Sequence, residues 1–340
     1  MQKQILVTGG TGFIGSHTVV ELQQSGYKVL IADNLSNSHI EVLDRIKKIT
    51  GIKPEFEKID LSDRETTLNF LKNKKLCGVV HFAASKAVGE SVQNPLLYYR
   101  NNLNSLMNIL EGMIENHIDN IVFSSSCTVY GQPDILPVTE NAPLKKALSP
   151  YGNTKAICED IIDDVAKISN IKGIKLRYFN PIGAHPSGII GEYPQGIPNN
   201  LIPYITQTAI GKRECLSIFG NDYNTHDGTG IRDYIHVTDL AKAHVIAIDR
   251  LINNKNKNNT EIFNIGTGSG YSVLDIVKSF EKVNNIKINY KIAPRREGDI
   301  EQVWADTTFA NEELGWKAKY NLDDMMRTSW LWEKNLNKEE

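Results

Sequence analysis

The run Ile5-Leu6-Val7, followed at once by Thr8-Gly9-Gly10-Thr11-Gly12-Phe13-Ile14-Gly15, constrains this chain more than any other stretch. An unbroken apolar triplet before a glycine turn suits a strand covered on both faces, and Ile14, Val19, Val20 and Leu22 then mark the inner side of a helix. Glycine at 9, 12 and 15 lets the turn close, lets backbone N–H groups approach a pyrophosphate and lets the helix pack close to the strand. Glycine patterns alone are common, but strand, turn and helix together supply the context that a dinucleotide site requires.

The second apolar run, Val29-Leu30-Ile31-Ala32, ends at Asp33 and Asn34. An acidic residue at this place holds a ribose diol and repels a 2′-phosphate, so NAD is expected rather than NADP. Strand and helix signals go on alternating: a strand over 56–59 ending at Asp60, a helix after Ser62, a strand over 78–82, a helix over 91–116 and a strand over 120–123. This order predicts an α/β fold with a Rossmann-type doubly wound parallel sheet, whose ligands gather at the carboxyl ends of the strands. There the chain places a hydroxyl-rich segment, Ser124-Ser125-Ser126-Cys127-Thr128-Val129-Tyr130-Gly131.

Ser149-Pro150 is a helix start, because the serine oxygen caps a free N–H and proline loses nothing at the first helical position. Ile157, Ile161, Val165 and Ile168 recur behind it at helical spacing, which puts Tyr151 and Lys155 on one face of the first turn. A phenol becomes a useful base near pH 7 only with roughly 4 kcal/mol of preferential phenolate stabilisation. Lys155 and the positive helix end both act in that direction.

With 340 residues, 41% of them hydrophobic, the chain is long enough for a main domain and a second one. A net charge of −2 and a pI near 6.5 give no field for a polyanion, so nucleic acid is not an expected partner. Cys77, Cys127, Cys158 and Cys215 show no metal-ligand spacing and read as reduced, buried thiols; no metal site is expected. Met1-Gln2-Lys3-Gln4 runs straight into the first strand, and no apolar run approaches bilayer length. A cytoplasmic protein without a membrane partner is the expectation.

After a strand over 175–180, Pro181-Ile182-Gly183 and a Gly/Pro-rich passage to Pro198 break the rhythm. The main boundary therefore falls between 1–180 and 181–340, with a helix and a strand within 237–265 returning to the first part. In Pro294-Arg295-Arg296-Glu297-Gly298-Asp299, two guanidiniums share a loop, as a diphosphate clamp or as a solvated surface cluster. The helix over 91–116 carries Leu96, Leu97, Leu103, Leu106, Met107, Ile109, Leu110, Met113 and Ile114, more apolar surface than one face requires. Its spare face predicts a second subunit.

From Ile5 to at least Trp330 these strings resemble the extended short-chain dehydrogenase/reductase family, and within it the nucleotide-sugar 4-epimerases. Besides the glycine turn, the residues that carry the likeness are those of 81–91, 124–131, 149–155, 177–181, 196–200, 228–236 and 294–299. The resemblance implies Tyr151 as base and acid, Lys155 on the nicotinamide ribose, and Ser126 and Thr128 on the sugar hydroxyl. It implies contacts to NAD from Gly9, Gly12, Phe13, Ile14, Gly15, Asp33, Asn34, Asp60, Leu61, Phe82, Ala83, Lys86, Asn101, Ser124, Tyr151, Lys155 and Tyr178. Contacts to a UDP-sugar would come from Lys86, Ser126, Tyr151, Asn180, Asn200, Leu201, Phe219, Arg232, Arg296, Asp299 and Val303.

The implied reaction interconverts UDP-galactose and UDP-glucose through a 4-keto sugar, with NAD regenerated in each cycle and kept bound by a homodimer. Sugar-nucleotide dehydratases of the same fold need a further acid–base pair beside the hydroxyl segment, and Cys127-Thr128-Val129 offers no carboxylate. A non-catalytic dinucleotide sensor would lack the Tyr151/Lys155 pair. Cys127 stands where a smaller residue is expected, and Val303 where some relatives carry a bulky tyrosine. A roomier pocket would admit N-acetylated UDP-hexoses.

Overall fold

The computed structural model describes residues 2–296 and 299–339. Strand β1, Gln4–Thr8, turns through the glycines into helix α1, Phe13–Gln24. Ile5 and Val7 enter the apolar layer shared with α1, and Leu6 enters the layer on the other face. Three consecutive apolar residues are needed because a strand covered on both sides has no solvent face. The chain continues through β2 (Lys28–Asp33), α2 (Val42–Thr50), β3 (Glu55–Lys58), α3 (Arg64–Leu71), β4 (Gly78–His81), α4 (Val88–Gln93) and α5 (Pro95–Glu115). Then come β5 (Asn120–Ser126), α6 (Pro150–Ile168) and β6 (Lys172–Tyr178).

Two helices differ from expectation. The helix expected over 91–116 is broken at Asn94 (φ −128°, ψ 58°), and Pro95, which has no N–H to donate, starts α5 afresh. On α6, Ser149 caps the Gly152 N–H at 3.1 Å, but the buried stripe is Tyr151, Lys155, Cys158, Glu159, Ile162 and Ala166. Ile161 and Val165 are only partly covered, and Ile168 is 88% exposed. The inward face is rotated because polar Lys155 and Glu159, which the apolar pattern skips, have partners inside.

The remaining elements are β7 (Asn180–Ile182), α7 (Leu201–Ala209), β8 (Leu216–Phe219), β9 (Ile231–His236), α8 (Val237–Ile252) and β10 (Thr260–Ile265). They end with β11 (Gly270–Ser272), α9 (Val273–Asn284), β12 (Tyr290–Ala293), β13 (Gln302–Val303) and α10 (Leu322–Glu339). The main sheet is parallel, in the order β10-β6-β5-β4-β1-β2-β3. Its winding reverses between β1 and β4, and the crevice beyond the carboxyl ends there is where such sheets bind ligands.

Beside it, β9 pairs with β7, β11 and β13, while β8 pairs with β12. A separate core of Ile202, Ile205, Leu216, Ile218, Tyr234, Phe280 and Met325 holds α7, α9 and α10 against these strands. Buried Asp233 ties β9 to its surroundings by accepting from Thr267 N (2.8 Å), Thr267 Oγ1 (2.6 Å), Gly268 N (3.0 Å) and Ala305 N (3.2 Å). Among the described residues no helix is long and apolar enough to cross a membrane.

Four buried imidazoles predict acid sensitivity. Burial holds His17, His81 and His236 down to about 3 and His244 down to about 4. Below pH 6.5 the unfolded chain binds protons that these rings refuse, so the stability present above pH 6.5 is lost as pH falls toward 4. Between pH 6.5 and 5 each ring contributes at most about 2 kcal/mol of loss. Urea midpoints at pH 7 and pH 5 check this; equal midpoints would contradict it. Asp233, whose carboxyl burial pushes up, opposes the trend.

Candidate active site

The glycine turn forms a cradle with no room for side chains. Gly9 takes φ +67°, and a Cβ there would lie 2.9 Å from Ala83 N. A Cβ on Gly15 would stand 2.2 Å from Gly9 O, so the first turn of α1 presses directly on the loop. Thr8 Oγ1 accepts from Phe82 N (3.1 Å) and Ala83 N (3.2 Å), joining the ends of β1 and β4. Asp33 at the end of β2 accepts from Leu35 N (2.9 Å), Ser38 Oγ (3.2 Å) and Thr11 N (3.2 Å). Backbone N–H groups, missing side chains and an anchored carboxylate fit a dinucleotide with a free ribose diol.

Other predicted cofactor residues lie on the elements that follow. Phe13 and Ile14 open α1. Asp60 lies exposed beyond β3, accepting from Ser62 within its own turn, and Leu61 is buried beside it. Asn34 likewise accepts from Ser36 N at 3.0 Å. Asn101 on α5 reaches Ser85 Oγ at 3.2 Å. Its neighbour Asn102, which sequence reasoning missed, does more: it accepts from Ser85 N (2.8 Å) and donates to Ser85 O (3.1 Å) and Thr154 Oγ1 (3.0 Å). Asparagine adjacent to asparagine on one helix gave no signal to separate them.

Tyr151 and Lys155 meet the hydroxyl segment at the end of β5. Lys155 Nζ donates to Ser124 O at 2.6 Å and lies 5.8 Å from the centre of the Tyr151 ring. Ser124 Oγ bonds the Tyr178 hydroxyl. Ser126 Oγ accepts from Thr128 N (3.2 Å) and Thr128 Oγ1 (3.0 Å). The electrostatics differ from the sequence expectation: burial raises the Tyr151 phenol well above its ordinary value, and Tyr178 adds to this, while the Ser126 hydroxyl opposes it. Burial also pulls Lys155 down to about 8. In the protein alone burial outweighs the lysine charge, because the ammonium is spent on a backbone carbonyl.

In the smaller strand group, Phe219 ends β8 with the Arg296 guanidinium 4.8 Å from its ring centre. Asp299 joins the two arginines, Arg232 Nη2 at 3.4 Å and Arg296 Nε at 3.2 Å. Glu297 and Gly298 of the same loop lie outside the described residues. Val303 is buried in register with Arg232, in one apolar cluster with Phe179 and the partly buried Cys127. Asn180 opens β7, and Asn200 precedes Leu201 at the start of α7. Glu192, also missed, accepts from Asn200 Nδ2 (2.5 Å) and Lys86 Nζ (3.2 Å), so it brings residues from both sides of the crevice together. It sits in a loop of no regular periodicity.

Among the described residues, one group of metal-type donors occurs, His226, Asp227 and Asp275. Its carboxylates are already used at the start of α9, where Ser272 donates to Asp227 (2.5 Å) and Asp275 (3.0 Å).

A glycine cradle at one strand end and a Ser/Tyr/Lys group at another define a dinucleotide enzyme of the extended short-chain dehydrogenase/reductase type. Residues 6–329 match the model of the GDP-mannose 4,6 dehydratase family. UDP-glucose 4-epimerase of Bacillus subtilis (strain 168) is 52% identical over 330 residues, covering 97% of this chain and 96% of that one. Among solved structures, UDP-glucose 4-epimerase from Stenotrophomonas maltophila, with bound NAD and formylated UDP-arabinopyranose, has a TM-score of 0.95 at 44% identity over 100% of both chains. The enzyme from Bifidobacterium longum, in complex with NAD+ and UDP, has a TM-score of 0.94 at 45% identity over 98% of both. The chain belongs to the UDP-glucose 4-epimerase family.

Proposed function

We propose that this protein inverts C4 of UDP-galactose and UDP-glucose in both directions while keeping NAD bound. The observation that carries the reading is the convergence of the glycine cradle and the Ser126/Tyr151/Lys155 group at the carboxyl edge of one sheet, with Val303, in register with Arg232, packed in one cluster with Cys127 of the hydroxyl segment. Residues 1–180 with the segment 237–265 hold the cofactor, and residues 181–340 hold the nucleotide sugar. Gly9, Gly12, Gly15 and Asp33 would hold NAD, which when bound supplies a reversible acceptor for the hydrogen of C4.

The chain's own part is proton transfer and anchoring. Tyr151 takes the proton from the 4-hydroxyl and returns it, Lys155 offsets the phenolate charge, and Ser126 and Thr128 fix the hydroxyl. Phe219 stacks on the uracil, and Arg232 and Arg296 grip the diphosphate. A sugar anchored only through its nucleotide is free to turn as the ketone and present its other face to the same phenol. The absence of a carboxylate at 127–129 disfavours dehydration, and the presence of the Tyr151/Lys155 pair disfavours mere sensing. The test is conversion of UDP-galactose to UDP-glucose without added NAD; no conversion, even with NAD+ supplied, would remove the proposal.

The buried Val303 favours a second substrate pair. Valine leaves space that tyrosine would fill, so UDP-N-acetylglucosamine and UDP-N-acetylgalactosamine are interconverted as well. Val303→Tyr is expected to cut that activity at least about tenfold and to spare UDP-galactose. No acetylated turnover by the unaltered protein at saturating enzyme would refute this.

The protein works in the cytoplasm as a homodimer. On α5, Leu106, Ile109, Leu110 and Met113 face the core, whereas Leu96, Leu97, Met107 and Ile114 are exposed, and this second apolar face is the proposed subunit contact. Light scattering at micromolar concentration should give twice the 38.1 kDa chain mass; the single mass would contradict it.

A further inference from the structure

Beneath the reacting group lies a buried charge pair that no step above uses. Glu159 sits one turn beyond Lys155 on the inward face of α6, and the two residues are 2% and 4% exposed. Its Oε1 accepts from Ser125 Oγ and from Arg177 Nε at 2.9 Å, and its Oε2 from Arg177 Nη2 at 2.5 Å. Arg177, on β6, also donates to the Tyr130 hydroxyl (3.0 Å) and Glu140 O (3.3 Å). Lys155 meanwhile donates to Ser124 O. Two successive turns of α6 are thus fastened to Ser124 and Ser125, and the next residue along β5 is Ser126.

A buried ion pair is weak support for stability, since apolar residues of similar volume often serve as well. We propose, on the epimerase reading above, that Glu159 is a positioning residue: it fixes β5 against α6 beneath Ser126 and holds the positive charge of Lys155, with Arg177 as its own fixed counter-charge. The electrostatic surroundings support this. Burial lowers Lys155, and the groups that oppose burial are Cys158 and Glu159. Cys158 is itself pushed up to about 12 by burial.

The other groups near Lys155 and the neighbouring phenol are Tyr151 on α6, His81 on β4, Tyr178 on β6 and Tyr98 on α5, whose hydroxyl bonds Glu90 of α4. Burial keeps His81 uncharged and pushes the three phenols up. Glu159 is the carboxylate among those acting on Lys155.

The experiment is the pH dependence of kcat for UDP-galactose in the holoenzyme and four variants, each checked for fold by circular dichroism and for bound NAD. Glu159→Gln should move the alkaline limb, where Lys155 gives up its proton, down by about one pH unit. Glu159→Gln with Arg177→Met removes both charges, leaves no lone guanidinium buried, and should move the limb in the same direction by a smaller amount even where the single variant fails to fold. Glu159→Asp should restore the limb, and Ser125→Ala should lower kcat a few-fold without moving it. Folded charge-removing variants with an unmoved limb overturn the role and leave a merely structural pair. A wild-type protein that converts no UDP-galactose overturns the reaction, and this role with it.

Discussion

Replacing Tyr151 by phenylalanine is expected to lower epimerisation by about a thousandfold or more, because a positioned general base is worth roughly 10²–10⁴ in rate and this phenol serves as base and acid in turn. The substitution deletes one oxygen. The ring stays buried on the inward face of α6, the Ser149 cap on Gly152 is untouched, and Lys155 keeps its bond to Ser124 O. Fold and bound NAD should therefore survive, and the loss should fall on kcat. Rate assays with a count of bound dinucleotide check this; a variant retaining a tenth of the activity would assign the proton to another group.

Gly15→Ala should cost the protein its cofactor. The new Cβ would lie 2.2 Å from Gly9 O and 2.8 Å from Gly10 Cα, both backbone atoms that cannot swing aside. The loop must open, at about 1–3 kcal/mol, and an opened loop no longer aims its N–H groups at a pyrophosphate. Gly26→Ala is the control: at φ +88° it carries backbone strain of about 1–3 kcal/mol, yet nothing lies within 4 Å of its Cβ. Both variants should melt early, but only Gly15→Ala should purify without NAD. Equal dinucleotide content in the two would contradict a cradle shaped by close approach.

What could be read from the sequence was local. The Ile5–Val7 run, the glycine turn and the Ser149-Pro150 cap each state their structure within a few residues, and the folded chain has the strand, the turn and the capped helix there. Where the outcome depended on distant partners, local pattern misled. Apolar spacing on α6 pointed to Ile157 and Ile168, whereas the inward face includes Glu159, whose partners Ser125 and Arg177 lie on two neighbouring strands. Periodicity counts hydrophobes and cannot register a buried charge satisfied from across the sheet. The phenol was expected to be held low by Lys155, but the desolvation that raises it depends on everything packed around the ring. Asn102 and Glu192 were missed because their significance lies in whom they meet.

The most direct test of the central claim follows the hydrogen at C4. UDP-galactose carrying deuterium at C4 would be incubated with the purified protein in ordinary water, without added NAD, and the UDP-glucose examined by NMR and mass spectrometry. Oxidation and re-reduction at one carbon by a retained cofactor predicts full retention of deuterium at C4 and none lost to water. Product whose C4 deuterium has been replaced by solvent hydrogen, or 4-keto sugar accumulating in place of product, would contradict it.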